Sequence, residues 1–195
     1  MDKHFRFSAI LLAISFSMLS FTTSISASER KINMNQHWKF YHGCIANAEQ
    51  PSFNDSGWRV LDIPHDWSVE PLPVQREGIT IGPFSRMSIG GPDTGQTVGG
   101  EGWYRKELIL QPGDTDKILS LYFEGAYNQT EVWINGQKAC FNAYGYIPFR
   151  IDINKYCNAP GIPNTIAVKV INEGLNSRWY AGSGISVSYT HLRAH

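Results

Sequence analysis

Through most of the chain, apolar and polar residues alternate with a period of two. In "KILSLYFEG", Leu119, Leu121 and Phe123 fall on one face. In "NTIAVKVIN", Ile166, Val168 and Val170 share a face and Lys169 points the other way. Successive side chains of a strand leave opposite sides of the sheet, so this spacing predicts strands buried on one face. "TEVWINGQKA" predicts a hairpin, because Asn135-Gly136 supplies the positive φ angles of a tight turn. "GWYRKELIL" and "PFRIDIN" are further strand patterns, and "QPGDTD" and "NAPGIPN" punctuate the series as turns. In "GWYRK", Trp103 and Tyr104 fall on opposite faces, one in the core and one outside it or under a neighbour. No long helical period is present. The pattern predicts an all-β fold, an antiparallel β-sandwich or jelly roll with one apolar face per sheet.

Two segments depart from this rhythm. From Glu70 to Gly102 the chain is rich in Gly and Pro, and a loop of that length in a compact domain is functional or mobile. At the N-terminus, Lys3 and Arg6 precede the apolar run "FSAILLAISFSMLSF" and the small residues "SISAS". That order is a secretory signal peptide over residues 1–28, with an uncleaved N-terminal anchor as the alternative. The run is short and Ser-rich for a membrane span. The mature protein is therefore expected to be secreted or periplasmic.

Composition narrows the classes of partner. The 195 residues suit one domain of ordinary size, and no linker or internal repeat divides them. Seventeen basic residues balance seventeen acidic ones, which leaves no electrostatic case for nucleic acid or an anionic membrane. Aromatic residues make up 13%, which suits a β-rich core and also stacking against sugar faces. Three cysteines, Cys44, Cys140 and Cys157, form no disulfide framework and no zinc spacing. At most one pair could bridge, and buried small hydrophobes are the expectation.

The chemistry-bearing residues give no catalytic signature of their own. His65, Asp66 and Ser183 could be assembled into a triad on paper, but "AGSGI" is not the G-x-S-x-G elbow and no strand–helix pattern surrounds it. Phosphate-cradling and metal-ligand spacings are missing, His37 and His42 lie outside any His-rich motif, and no cofactor is implied. A pair of carboxyls could act across a glycosidic bond, yet no acidic residue stands in a context that singles it out. In "PHDW", Pro64 fixes a backbone angle, His65 and Asp66 offer polar groups to brace a loop, and Trp67 can plug the end of the sandwich. Asn128-Gln129-Thr130 matches a glycosylation sequon and is given no role.

Four motifs in order carry a resemblance. "WRVLDIPHDWS" (58–68), "GGEGWYRKELIL" (99–110), "FEGAYNQTEVWINGQKA" (123–139) and "NSRWYAGSGI" (176–185) together resemble the N-terminal sugar-binding domain of family 2 glycoside hydrolases, the β-galactosidase and β-glucuronidase group. The resemblance covers about residues 32–185. It implies a galactose-binding-like jelly roll, followed in the family by an immunoglobulin-like domain and a TIM barrel with two catalytic glutamates of a retaining mechanism. It implies no catalytic residue, no metal and no cofactor in this chain. The implied partners are a β-linked glycan and the downstream domains of the same polypeptide.

The segment "NSRWYAGSGI" is the candidate binding element. In the family the matching loop leaves the sandwich and approaches the sugar pocket of the barrel. Arg178 brings five donors in a fixed fork, suited to sugar hydroxyls or a carboxylate. Trp179 and Tyr180 bring flat apolar faces for the C–H surface of a ring, and Gly182 and Gly184 permit a tight turn. The alternative is a loop that only packs against the barrel. At the place where some β-galactosidases carry a sugar-contacting Asp, this chain has Arg178 or a neighbouring Asn. After Ile185 the family pattern gives way to "SVSYTHLRAH". Residues 29–185 are thus the expected domain, and 186–195 an atypical tail foreign to it, with an edge strand missing. The leading expectation is a fragment of an exported β-glycosidase, inactive alone. A stand-alone carbohydrate-binding module and a purely structural domain are the alternatives.

The N-terminal pattern makes one prediction. Edman sequencing of exported protein should find a new N-terminus near Ala27, and a mature chain starting at Met1 would contradict the signal peptide.

Overall fold

The computed structural model describes residues 29–114, 116–174, 181–186 and 188–194. In chain order the first strands are β1 (Glu29–Asn33), β2 (Trp38–His42), β3 (Arg59–Leu61), β4 (His65–Asp66), β5 (Thr80–Ile81) and β6 (Phe84–Ser85). Then come β7 (Gly100–Ile109), β8 (Lys117–Phe123), β9 (Ala126–Tyr127), β10 (Thr130–Ile134) and β11 (Gln137–Asn142). The last are β12 (Phe149–Asp152), β13 (Pro163–Asn172), β14 (Gly184–Ile185) and β15 (Ser188–Ala194). Among the described residues the helical pieces are three short 3-10 turns, and every strand pair is antiparallel. The all-β sandwich expected from the alternation is the fold.

A six-stranded sheet, ordered β11-β10-β13-β7-β2-β3, faces a four-stranded sheet, ordered β1-β15-β8-β12. The ladder of β13 with β7 runs ten residues, from Pro163 opposite Ile109 to Asn172 opposite Gly100. Alternation sorts the side chains of these strands. Tyr104, Val132, Ile134, Ile166, Val168 and Val170 project inward and meet Leu119, Leu121, Phe123 and Ile151 from the other sheet, all in one buried cluster. Each such side chain contributes about 1.5–3 kcal/mol relative to exposure, which makes this cluster the main stabilising element.

The outward face of the six-stranded sheet is covered by its own aromatic and charged groups. Trp103, opposite in facing to Tyr104, is buried beneath Trp133 with ring centroids 5.4 Å apart, and Lys169 lies over both rings. Lys169 also pairs with Glu131 at 2.8 Å. Beside them the buried Arg105 guanidinium meets Asp55 at 2.8 Å and the carbonyls of Ala48 and Gln50. Burial alone would raise the Asp55 pKa, but the Lys39 and Arg105 hydrogen bonds and charges outweigh it and hold the carboxyl ionised. The hairpin turn falls at Asn135 (φ 52°) and Gly136 (φ 79°), as the sequence pattern predicts.

Two expectations are corrected. The Gly/Pro-rich segment is not structureless: β5 and β6 pair, Gly91–Thr94 forms a 3-10 turn, and Gly100–Gly102 already belongs to β7. Cys44 is exposed rather than a buried hydrophobe, whereas Cys140 and Cys157 are half-buried and all three thiols are free. Burial pushes the Cys157 thiol up to about 11, which makes it a poor nucleophile. Ser188–Ala194, within the tail expected to be foreign to the domain, pair with β8 and, on the other edge, with β1. Ladder pairing uses backbone N–H and C=O groups, so a weak side-chain alternation does not prevent it.

Candidate functional site

One end of the sandwich is closed by a three-stranded sheet ordered β4-β14-β9, and the chemistry-bearing motifs converge there. Asp66 is the tie. Its Oδ1 accepts from the Ser68 N–H at 2.9 Å, from the Ser68 hydroxyl at 2.5 Å and from the Ser183 N–H at 2.7 Å, across 117 residues of sequence. Hydrogen bonds to an ionised acceptor are the strong class, which suits a long-range fastening. Gly182 lies so close that a Cβ there would sit 2.6 Å from Asp66 Oδ2, so a larger residue would displace the carboxylate. Gly184, at φ 148°, leaves a Cβ only 2.0 Å from the His65 carbonyl. The glycines of "GSG" therefore serve close strand approach rather than a loose turn.

His65 and Tyr104 form a second tie. His65 Nδ1 lies 2.7 Å from the Tyr104 hydroxyl, and the Ile185 backbone N–H donates to the same oxygen. On its other side, His65 Nε2 lies 3.0 Å from Glu70 Oε1 and 3.1 Å from Arg59 Nη2. Arg59 closes the outer side with two contacts to Glu70 at 2.8 and 2.9 Å. Burial lowers the His65 pKa below its ordinary 6.5, Glu70 opposes this and Arg59 adds to it, so the ring is neutral. Burial and the charges of Asp66 and Glu70 raise the Tyr104 pKa well above 10, so its hydroxyl keeps its proton. Trp67 plugs the end of the core, stacked on Phe40 at 5.8 Å and lying on Gly102, where a Cβ would come within 2.5 Å of the indole.

His65, Asp66 and Ser183 do come together, but not as a catalytic triad. The Ser183 hydroxyl takes a hydrogen bond from Asn172 Nδ2 at 2.7 Å, while His65 is engaged by Tyr104 and Glu70. A base bonded to the nucleophile is what the triad requires, and here the base is directed elsewhere. Among the described residues no group of His, Cys, Asp and Glu is arranged to hold a metal. The sequon threonine, Thr130, is buried and donates to the Ala126 carbonyl at 2.9 Å.

The predicted binding residues Arg178, Trp179 and Tyr180 lie outside the described residues. Their described flanks are firmly placed. Gly174 and Ala181 both line a cavity of about 190 Å³ whose opposite wall includes Met87, Ile89 and Val98 of the Gly/Pro-rich segment. The Ser88 hydroxyl there is buried and has no hydrogen-bond partner among the described residues. A broader cleft of about 460 Å³ opens beside it, between Tyr127, Tyr146 and the segment from Gly182 to Ser186. Sequence reasoning missed the polar partners of the knot: Asn172 and Glu70 sit in strand-end or loop positions outside the quoted motifs, Arg59 was noted only as part of the 58–68 motif, and the Tyr104 hydroxyl was hidden in a strand pattern.

Glycine-lined loops and aromatic rings thus gather at one end of the β-sandwich, around a braced set of polar groups. Residues 35–187 match the family model described as glycosyl hydrolases family 2, sugar binding domain, and the chain belongs to that family. A β-galactosidase, BoGH2A, of Bacteroides ovatus is 39% identical over 165 residues, which cover 84% of this chain and 18% of the relative. A putative β-glucuronidase of Formosa agariphila is 37% identical over 161 residues, covering 82% of this chain and 14% of that protein. The crystal structure of a family 2 member from Bacteroides cellulosilyticus superimposes with a TM-score of 0.77 at 37% identity, over 84% of this chain and 20% of that one. The chain thus spans less than a fifth of the length of these curated relatives.

The neutral His65 gives a pH prediction. The unfolded chain takes up a proton at His65 near pH 6.5, whereas the folded site resists it, so protonation favours unfolding. Folding stability should therefore fall as pH drops below 6.5 through the lowered folded-state value. The His65 ring resonance in an NMR titration should show a midpoint below 6.5, and a midpoint at or above that value would contradict the buried neutral ring.

Proposed function

We propose that this chain is the sugar-binding N-terminal part of an exported β-glycosidase that hydrolyses O-glycosyl bonds of β-linked glycans. In this reading catalysis belongs to a downstream barrel. One of its glutamates attacks the anomeric carbon to form a glycosyl-enzyme, the other protonates the leaving oxygen, and water then releases the sugar with retention. The chain supplies no catalytic carboxylate. Its part is to hold the segment carrying Arg178, Trp179 and Tyr180 toward the ligand. Arg178 would donate to sugar hydroxyls or a carboxylate, and the two rings would offer faces to the sugar's C–H surface.

The observation that carries this reading is the fastening of both ends of that segment. On one side, Asn172 bonds the Ser183 hydroxyl and caps the β13–β7 ladder. On the other, the Ser183 amide is held by Asp66 and Ile185 by Tyr104. A rigid base under a short recognition loop is what precise ligand placement needs.

The test is kinetic. A polypeptide extended in frame to the length of the relatives should hydrolyse an aryl β-galactoside or an aryl β-glucuronide, and the 195-residue chain should not. In the extended enzyme, Arg178→Ala should raise KM or lower kcat/KM by roughly 10- to 150-fold, the loss of a charged hydrogen bond of about 1.5–3 kcal/mol. Turnover by the chain alone would overturn the assignment of catalysis elsewhere, and unchanged kinetics would reduce the segment to an interdomain seam. Should the genomic frame encode no further domain, the stand-alone binding module takes the place of this reading.

A further inference from the structure

Resting on the reading above, in which further domains follow in the same polypeptide, we propose that residues 74–89 form the docking face for one of those downstream domains. Six large apolar side chains of this stretch are exposed: Val74, Ile79, Ile81, Phe84, Met87 and Ile89. Ile81, Met87 and Ile89 are 72%, 75% and 70% exposed. A single exposed apolar residue needs no explanation, but a run of them on one segment marks a surface that another body covers.

The hairpin at the centre of the face sorts its side chains. Ile81 stands opposite Phe84, and Thr80 opposite Ser85, in the β5–β6 ladder. Residues opposite each other in a ladder share a face, and successive residues alternate between faces. Thr80 and Ser85 are buried against the domain, so Ile81 and Phe84 point to solvent as a pair. The alternation that elsewhere sends hydrocarbon inward is reversed here, with the hydroxyls facing the domain. A hairpin that turns its apolar side outward is arranged for a partner on that side.

The face is built before any partner arrives. The Arg86 N–H donates to the Ile79 carbonyl at 2.9 Å, and the Ser85 N–H to the Gln96 carbonyl at 2.8 Å. The Gln75 side chain clasps the turn. It accepts from the Gly82 N–H at 2.8 Å and donates to the carbonyls of Gly82 and Leu72 at 3.1 and 2.7 Å. The Leu72 N–H adds a bond to the same Gly82 carbonyl at 2.9 Å. A surface already held in one shape loses less conformational entropy when it is covered.

Charge and size select the occupant. Residues 69–98 carry Arg76 and Arg86 against Glu70, Glu77 and Asp93, a balance that gives no attraction to an anionic lipid surface. A second copy associating freely would have to offset its lost translational and rotational freedom, and stable interfaces of that kind use about 20–30 residues a side. This face is one short segment. A domain on the same polypeptide arrives at high effective concentration and is held by a smaller contact. The face lies within the residues that match the family model, and those relatives have the material to cover it. The matched residues make up 18% of one relative and 14% of another, so most of each lies beyond the part this chain matches.

The test measures thiol accessibility in two proteins, the 195-residue chain and the polypeptide extended in frame to the length of the relatives. Cysteine is placed at one position at a time, Ile81→Cys, Met87→Cys or Ile89→Cys, with the exposed native thiol removed by Cys44→Ser. Reaction with a polar maleimide is followed at each site by peptide mass spectrometry. The dilution series ends with both proteins sedimenting as monomers. Each site should react freely in the short chain and at least about tenfold more slowly in the extended polypeptide. Cooperative melting confirms that each variant folds, and if one does not, the other two sites decide. Equal rates in the two proteins overturn the proposal. Protection that is lost on dilution also overturns it and gives the face to a second copy, and a genomic frame that ends at residue 195 leaves no domain to dock. Failure here is distinguishable from failure of the proposed function. An extended polypeptide that hydrolyses an aryl glycoside, while its three sites react at the short-chain rate, loses the docking face and keeps the activity.

Discussion

The carboxylate of Asp66 is the constraint on which the closed end of this molecule depends. It joins residues 66–68 to residue 183 through three hydrogen bonds, and its other oxygen packs against Gly182. The neighbouring His65–Tyr104–Ile185 contacts make the same connection from inside the core. Together they draw β14 between β4 and β9 and close the sandwich. An ionised acceptor aimed at backbone amides gives more than a hydrophobic contact would, because it sets direction as well as proximity.

The two faces of the six-stranded sheet divide the work. The inner face is apolar and supplies stability. The outer face is shielded by Trp103, Trp133 and the Lys169–Glu131 and Arg105–Asp55 pairs, so the sheet is covered on that side without a further layer. The closed end carries a cleft and a cavity of its own. Recognition loops carried on a rigid sandwich can vary without disturbing the core.

The core was legible in the sequence because burial in a sheet follows a period of two. Leu119, Leu121, Phe123, Ile166, Val168 and Val170 could be assigned from spacing alone, and Asn135-Gly136 identified its own turn. The bracing role of "PHDW" was also legible, since Pro, His and Asp beside a core Trp offer fixed geometry and polar groups rather than a reactive set. What escaped were interactions between positions far apart in sequence. Asp66 with Ser183, and Asn172 with Ser183, depend on register between strands that no local pattern encodes. The pairing of Ser188–Ala194 escaped for a related reason: its partners β1 and β8 supply backbone groups, which carry no side-chain signature. The paired β5–β6 hairpin in the Gly/Pro-rich segment is two residues per strand, too short for alternation to register.

The central claim is that Asp66 fastens the base of the proposed binding segment without serving as a general pillar of the fold. Native-state hydrogen exchange on Asp66→Asn tests it most directly. The account predicts that the amides of Ser183 and Ile185 lose protection, while those of the β7–β13 ladder keep theirs. Unchanged protection at Ser183 and Ile185, or uniform loss through β7 and β13, would contradict it.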